Sequence, residues 1–223
     1  MSDNKYKKKT EKEKKKCEKI INKLYGDNYY FLHGTTDKSI ENILKSGKLK
    51  LGTQIEERNF NYNENAQSLP YIYCTIEFDN VNVNYEPVFF EYILLLHPKI
   101  LFENDNVIFN KRWNKYPNSD SIYINKEDNF DNKKQKIKEI KEYLIELKQT
   151  IELQKVSKFN QNYHEILFIK DINLKDNLMG IVCNDYYYKN YKQIQELLKK
   201  YDYNNVKIYN EIKEFPLLCD LLI

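Results

Sequence analysis

Apolar residues recur along this chain with two spacings, one typical of helices and one typical of strands. Steps of three and four place Cys17, Ile20, Ile21 and Leu24 on one helical face, and Gly26 follows where a helix should end. The same helical spacing predicts three further helices, over 36–47, 133–156 and 191–201. Runs of aromatic and β-branched residues predict strands at 29–33, 71–78, 87–96, 164–174 and 205–210.

The order of these elements favours the α+β class, because the strands are scattered without the regular alternation of βαβ units. We expect a single domain over 17–223, preceded by a basic flexible arm at 1–16 and carrying a helical insert at about 131–157. Two polar stretches, 52–69 and 103–130, are predicted to be surface loops.

The composition adds one feature to these predictions, a basic N-terminal arm on a chain that is otherwise nearly neutral. The 223 residues include 20 tyrosines and 11 phenylalanines, and the heavy use of Asn, Lys, Ile and Tyr suggests an AT-rich coding genome. The net charge is only +3, from 36 basic and 33 acidic residues, so the fold as a whole is not expected to bind polyanions. The arm, "MSDNKYKKKTEKEKKK", is strongly basic; the alternatives for it are a solvated tail, a nuclear-localisation signal and a weak nucleic-acid contact.

The cellular location of the protein and the redox state of its cysteines are predicted from sequence features that are absent. No apolar run approaches the roughly 20 residues of a membrane helix, and no apolar core of a signal peptide follows the lysines. The cysteines are dispersed, with no Cys-x-x-Cys pair, at Cys17, Cys74, Cys183 and Cys219. We therefore expect neither a disulfide framework nor a metal site, and an intracellular protein of the cytoplasm or nucleus.

Three short motifs carry candidate chemistry. "YFLHGT" at 30–35 sets a histidine beside a glycine at the end of an apolar run, in a chain with three histidines and five glycines. "YIY" at 71–73 lies on a predicted strand, and "HEILF" at 164–168 opens a late one. In this order the motifs resemble those of the diphtheria-toxin and poly(ADP-ribose) polymerase branch of ADP-ribosyltransferases, which is known for a His–Tyr–Glu triad.

The resemblance covers roughly 30–95 and 160–182, and it implies an ADP-ribosyltransferase-like split β-sandwich with an NAD cleft. By this resemblance His33 hydrogen-bonds the adenosine ribose, Gly34 grips the nicotinamide carboxamide with its backbone, and Thr35 completes the motif on the cofactor side. A glycine suits that grip because a Cβ would obstruct close approach of the backbone to the ligand. Without the resemblance, His33 would simply end a strand and Gly34 would make a turn.

The later motifs supply the remaining groups that the resemblance implies. Tyr73 stacks on the nicotinamide ring, and Tyr71, two residues away on the same face, is a second stacking partner where the family often has glycine. Glu165 stabilises the oxocarbenium-like state as the nicotinamide–ribose bond breaks. The alternative for Glu165 is an ordinary carboxylate on an edge strand, while His164 and His97 are assigned no catalytic role.

The resemblance implies transfer of ADP-ribose from NAD, as substrate, to a protein or nucleic-acid acceptor. Mono-transfer is favoured over chain growth because the sequence has no recognisable acceptor-site loop for elongation. The arginine-modifying branch is disfavoured because position 163 is a tyrosine and no Ser-Thr-Ser stretch occurs. The rival hypothesis is a non-catalytic interaction protein of the same fold that binds a partner through its arm and long helix.

The long helix at 133–156 contains no Gly or Pro and has one narrow apolar stripe, made by Ile137, Ile140, Leu144, Leu147 and Ile151. Three roles stay open for it: packing in its own core, pairing with a copy, so that the protein is a monomer or a weak dimer, or recognition of the acceptor beside the cleft.

Overall fold

The computed structural model describes residues 11–51, 71–78, 90–104, 106–111, 117, 119–154, 164–183 and 190–210. The helices within these ranges are α1 Glu11–Tyr25, α2 Asp37–Ser46, α3 Ile100–Glu103, α4 Phe130–Gln154 and α5 Asn190–Lys200. The strands are β1 Tyr29–Thr35, β2 Lys48–Leu49, β3 Ile72–Phe78, β4 Tyr92–Leu96, β5 Val107–Asn110, β6 Ile122–Ile124, β7 Glu165–Phe168, β8 Ile172–Asn173, β9 Leu178–Cys183 and β10 Lys207–Tyr209. The mixture confirms the α+β class.

Eight of these strands form one sheet in the order β10-β9-β4-β1-β3-β7-β5-β6, and β2 pairs with β8 separately. Every pairing is antiparallel except that of β10 with β9. The described part of the chain is thus built on a large, mostly antiparallel sheet, and the ADP-ribosyltransferase-like split β-sandwich stays a prediction.

Strand β3 joins the two halves of the sheet along different stretches of its length. It pairs with β1 through Thr75–Phe78, and with β7 through Ile72–Cys74. The ladder between β1 and β3 therefore ends at Leu32 and Thr75, although β1 continues to Thr35. Beyond that point, among the described strands, β1 is paired only with β4, and β3 is paired only with β7.

The sheet has two chemically different faces. Alternate residues such as Phe31, Cys74 and Phe168 point to one side, here called the core face, and join the main hydrophobic core. The intervening residues point to the other side, the second face, where Leu32 belongs to a smaller apolar cluster with Leu95. Glu165 lies on the second face, because its neighbour Ile166 is part of the core.

Helix α2 directs the chain away from the end of β1. Thr36 precedes it with extended backbone angles, and Gly47 ends it at φ 68°, a left-handed conformation that favours glycine. The Gly47 N–H donates to the carbonyls of Ile43 and Leu44 at 3.0 and 3.2 Å. The Gly47 carbonyl accepts from Leu174 at 2.8 Å, so the end of α2 is tied to the segment that follows β8.

Helix α4 packs on the core face. Ile137, Ile140 and Leu144 are buried within the main core, while Ile145 is 36% exposed. The long helix is thus confirmed, and its apolar stripe serves the domain's own core. Its buried stripe lies on the face of the sheet opposite Glu165, and a role beside the acceptor stays a prediction.

Several local predictions differ from the structure. Helix α1 begins at Glu11, and only Cys17 and Ile21 of its predicted apolar face are buried, with Ile20 and Leu24 exposed. The 103–130 stretch is not all loop, because β5 and β6 form there and extend the sheet. Strand β9 was not predicted, and the 164–174 strand is divided into β7 and β8.

The cysteines also depart from expectation. Cys17 is disulfide-bonded, whereas Cys74 and Cys183 are buried free thiols. A disulfide is unusual in a reducing compartment, so the prediction of an intracellular location loses the support of four free thiols.

Some predictions concern residues beyond those described, namely the start of the basic arm (1–10) and the polar loop at 52–69. In the described part of the chain, no helix combines the length and the apolarity needed to cross a membrane.

The packing of α4 predicts a difference between two neighbouring residues. Leu144→Ala should lower the free energy of unfolding by about 2–5 kcal/mol, because it removes a buried side chain and leaves a cavity. Ile145→Ala, the control on the exposed side of the same helix, should change it by less than about 0.5 kcal/mol. Urea denaturation measures both, and equal effects would show that α4 is not anchored as described.

Candidate functional site

The three sequence motifs meet because their strands are consecutive in the sheet. Strand β1 carries His33, Gly34 and Thr35, β3 carries Tyr73, and β7 begins with Glu165, in the spatial order β1-β3-β7. Residues far apart in the chain thereby come to lie on adjacent strands, about 4.8 Å from one strand to the next.

His33 bridges β1 and β3 just past the end of their ladder. Its Nδ1 lies 2.8 Å from the carbonyl oxygen of Tyr73. A carbonyl can only accept, so Nδ1 carries the proton and donates, and in the neutral ring Nε2 then bears a lone pair. Burial lowers the pKa of His33, and the hydrogen bond to Tyr73 opposes that shift in part. The neutral ring is an acceptor suited to a hydroxyl group.

Tyr73 and Tyr71 form an aromatic pair at the start of β3. Their ring centroids are 6.3 Å apart and the planes are nearly perpendicular, at 86°. Tyr73 lies opposite Leu167 in the ladder, on the second face of the sheet. The expected proximity of the two rings is present, in an edge-to-face arrangement.

Gly34 also faces the second side of the sheet, and Phe90 packs directly against it. A Cβ on Gly34 would lie 2.2 Å from Cδ2 of the Phe90 ring, so only glycine fits there. In this conformation the ring of Phe90 occupies the space over the glycine.

Glu165 belongs to a row of polar side chains on the second face. It is half-buried and lies opposite Asn110 of β5, whose side-chain oxygen accepts a 2.6 Å hydrogen bond from Ser121. One further step in the β3–β7 register places Thr75 opposite Glu165 on its other side. The row thus crosses the sheet from Thr75 to Ser121.

Glu77 extends this polar row and was not singled out from the sequence. It is on β3, on the same face as Tyr73 and Thr75, and is only 4% exposed. Burial raises the pKa of its carboxyl from 4.5 to about 8, so it is largely protonated at neutral pH. The available signal was a lone carboxylate within the apolar strand "YIYCTIEF".

The remaining candidates lie apart from this face. Thr35 is buried and pairs with Tyr92 of β4, pointing to the core face. His164 is buried, with Nε2 3.2 Å from the Ile76 carbonyl, and burial lowers its pKa to about 4. His97, just after β4, accepts from the Lys99 N–H, in keeping with a strand-end role.

Across the residues that the structure describes, no group of three or more His, Cys, Asp or Glu side chains is arranged to hold a metal ion. On the second face lie instead two phenol rings and two carboxyls, from Tyr71, Tyr73, Glu165 and Glu77. The imidazole of His33 lies on the core side by the alternation of β1, opposite Leu94, and it meets this group through its hydrogen bond to the Tyr73 carbonyl. Such a set can bind a hydroxylated, aromatic ligand and stabilise positive charge next to it.

The chain belongs to a family of unknown function, DUF5846, whose model matches residues 26–147. No curated protein and no solved structure matches the chain. The matched segment contains His33 and Tyr73 but ends before Glu165.

The contact between Gly34 and Phe90 predicts a coupled effect on stability. Gly34→Ala should lower the free energy of unfolding by about 1–3 kcal/mol, because the new methyl group forces the ring to move. In a Phe90→Ala background the same change should have a much smaller effect. Urea denaturation of the four proteins gives the coupling, and additive effects would mean that the ring does not cover the glycine.

The buried carboxyl of Glu77 predicts a pH dependence. Because its pKa is higher in the folded than in the unfolded chain, the carboxyl's contribution to stability is present below about pH 4.5 and is lost as pH rises to about 8. Glu77→Gln removes this loss. The unfolding free energy of the variant, minus that of the wild type, should grow by up to about 1.4 kcal/mol per pH unit over this interval and then level. A constant difference from pH 4.5 to 8 would contradict the burial.

Proposed function

We propose that this protein is an ADP-ribosyltransferase that transfers single ADP-ribose units from NAD to a protein or nucleic-acid acceptor and releases nicotinamide. One observation carries the proposal: the motifs with His33, Tyr73 and Glu165 lie on three consecutive strands, and His33 contacts the backbone of Tyr73 directly. Nothing in the spacing of these motifs along the chain required their strands to be adjacent.

The binding step uses the β1–β3 side of the site. The Nε2 lone pair of His33 accepts a hydrogen bond from a ribose hydroxyl, since its Nδ1 is held by the Tyr73 carbonyl. The backbone of Gly34 binds the nicotinamide carboxamide, and Thr35 continues that strand. Tyr73 and Tyr71 enclose the nicotinamide ring with aromatic surface, which excludes water from the bond to be broken.

The chemical step uses Glu165. The bond between the nicotinamide nitrogen and ribose C1′ breaks, and nicotinamide leaves with the electron pair. Positive charge develops on the ribose as in glycoside hydrolysis. The carboxylate of Glu165, which lies opposite Asn110 in the ladder, stabilises that charge and orients the 2′-hydroxyl.

A second candidate function is a non-catalytic protein of the same fold that binds a partner. The observation that favours it is the ring of Phe90, which lies over Gly34 where the nicotinamide would approach. Catalysis requires that this ring move aside, whereas a binding protein needs no such movement.

Glu165→Gln tests the proposal. The variant should bind NAD with an affinity within several-fold of wild type, because the carboxyl acts in the transition state, and should release nicotinamide at least 10²-fold more slowly. Glu196→Gln, an exposed glutamate on α5, is the matched control and should behave as wild type. The measurements are calorimetric titration with NAD and release of labelled nicotinamide.

The outcomes separate the two candidates. Nicotinamide release that is equal in wild type and Glu165→Gln would remove Glu165 from the mechanism. NAD binding by Phe90→Ala but not by wild type, without nicotinamide release by either, would support the non-catalytic protein. Absence of NAD binding by all variants would reject the NAD site.

A further inference from the structure

Glu77 is a buried carboxyl on the same face as the candidate site, and the reaction described above gives it no role. It is 4% exposed, and burial raises the pKa of its carboxyl. Burying a carboxyl is unfavourable, so such a group calls for a functional explanation.

The register orders the site groups along one line. Tyr73, Thr75 and Glu77 alternate on the second face of β3, so Tyr73 and Glu77 are about 13 Å apart. Glu165 lies beside Thr75, midway between them, and its diagonal separation from Glu77 is about 7–8 Å. The aromatic group is therefore at one end, the charge-stabilising carboxylate in the middle and the second carboxyl at the other end.

This order matches the geometry of a displacement at a ribose carbon. The leaving group and the incoming nucleophile lie on opposite sides of C1′, with the developing charge between them. Two carboxyls about 6.5–9.5 Å apart leave room for a nucleophile in glycosidases that invert configuration. The positions of Glu77 and Glu165 in the ladder are spaced by a distance of the same order.

We propose that Glu77 is the general base that accepts the proton of the incoming nucleophile. The inference rests on the proposed function and adds a residue to it. The bond from C1′ to the nicotinamide nitrogen breaks and nicotinamide leaves with the electron pair. The nucleophile, X–H, forms the new X–C1′ bond, and its proton passes to the Glu77 carboxylate and then to solvent. The nucleophile is water in NAD hydrolysis and an acceptor group in transfer.

The surroundings of Glu77 set its acidity. Among the described residues, the titratable groups on adjoining strands are Tyr30 of β1, directly opposite, and Glu165 of β7, on the diagonal. His164 lies nearby but on the core face, where its Nε2 hydrogen-bonds the Ile76 carbonyl. Burial lowers the pKa of His164 to about 4, so the ring is neutral. Burial raises the pKa of Glu77 to about 8, close to the operating pH at which a general base is most effective.

The experiment measures nicotinamide release at saturating NAD from pH 6 to 9.5, with water as the nucleophile. The wild-type rate should rise about tenfold per pH unit below pH 8 and level above it. Glu77→Gln should lose that rise and be about 10²–10⁴-fold slower above pH 8, with the dissociation constant for NAD within threefold of wild type. Glu77→Asp should retain part of the rise, and Glu196→Gln all of it.

Carbon-13 NMR of glutamate-labelled protein without NAD supplies a readout independent of activity. One carboxyl of the wild type should titrate near pH 8, and that signal should be absent from Glu77→Gln. A Glu77→Gln variant that keeps the wild-type rate and pH profile would overturn the role of Glu77 and leave the proposed function standing. Equal loss of NAD binding and release at every pH would also overturn it, by showing a structural role. Failure of the wild type to bind or cleave NAD would reject both proposals.

Discussion

The offset pairing of β3 is the constraint on which the candidate site depends. Thr75–Phe78 pairs with β1, and Ile72–Cys74 pairs with β7, so neither neighbour uses the full strand. The ladder to β1 ends at Thr75, and the next carbonyl in register, that of Tyr73, is taken by the imidazole of His33. A strand paired along its whole length on both sides would leave no backbone position for a side chain to enter the sheet.

The same arrangement separates packing from chemistry. The core face is filled by apolar residues of the sheet and by the buried stripe of α4, so it supplies most of the hydrophobic stabilisation. The second face carries polar side chains instead: Glu77 and Asn110 are buried there, and Glu165 is half-buried. Burial of polar groups is costly, and sites of function are where a fold commonly accepts that cost.

The sequence predicted those elements whose local signals agree with the fold. Gly47 ends α2 because the backbone there is left-handed, and the period of Ile137, Ile140 and Leu144 correctly identified α4. The strands β5 and β6 were missed because they are short and lie among polar residues, so their stability comes from pairing with β7 and with each other. The adjacency of β1, β3 and β7 could be expected only through the resemblance, because long-range pairing leaves no periodic signal. Glu77 was missed since its importance depends on burial, and not on a motif.

The segment matched by the family model is shorter than the unit that can fold into this sheet. The matched segment, 26–147, includes β1, β3, β4, β5 and β6, but not β7. In the sheet order, β5 and β6 reach the rest of the sheet only through β7, which pairs with β3 on one side and β5 on the other. The matched segment alone would leave β5 and β6 detached and expose the edge of β3 that β7 covers, an arrangement that favours aggregation. The structural unit that carries the candidate site must therefore include β7, and Glu165 enters the site on the same strand that completes the sheet.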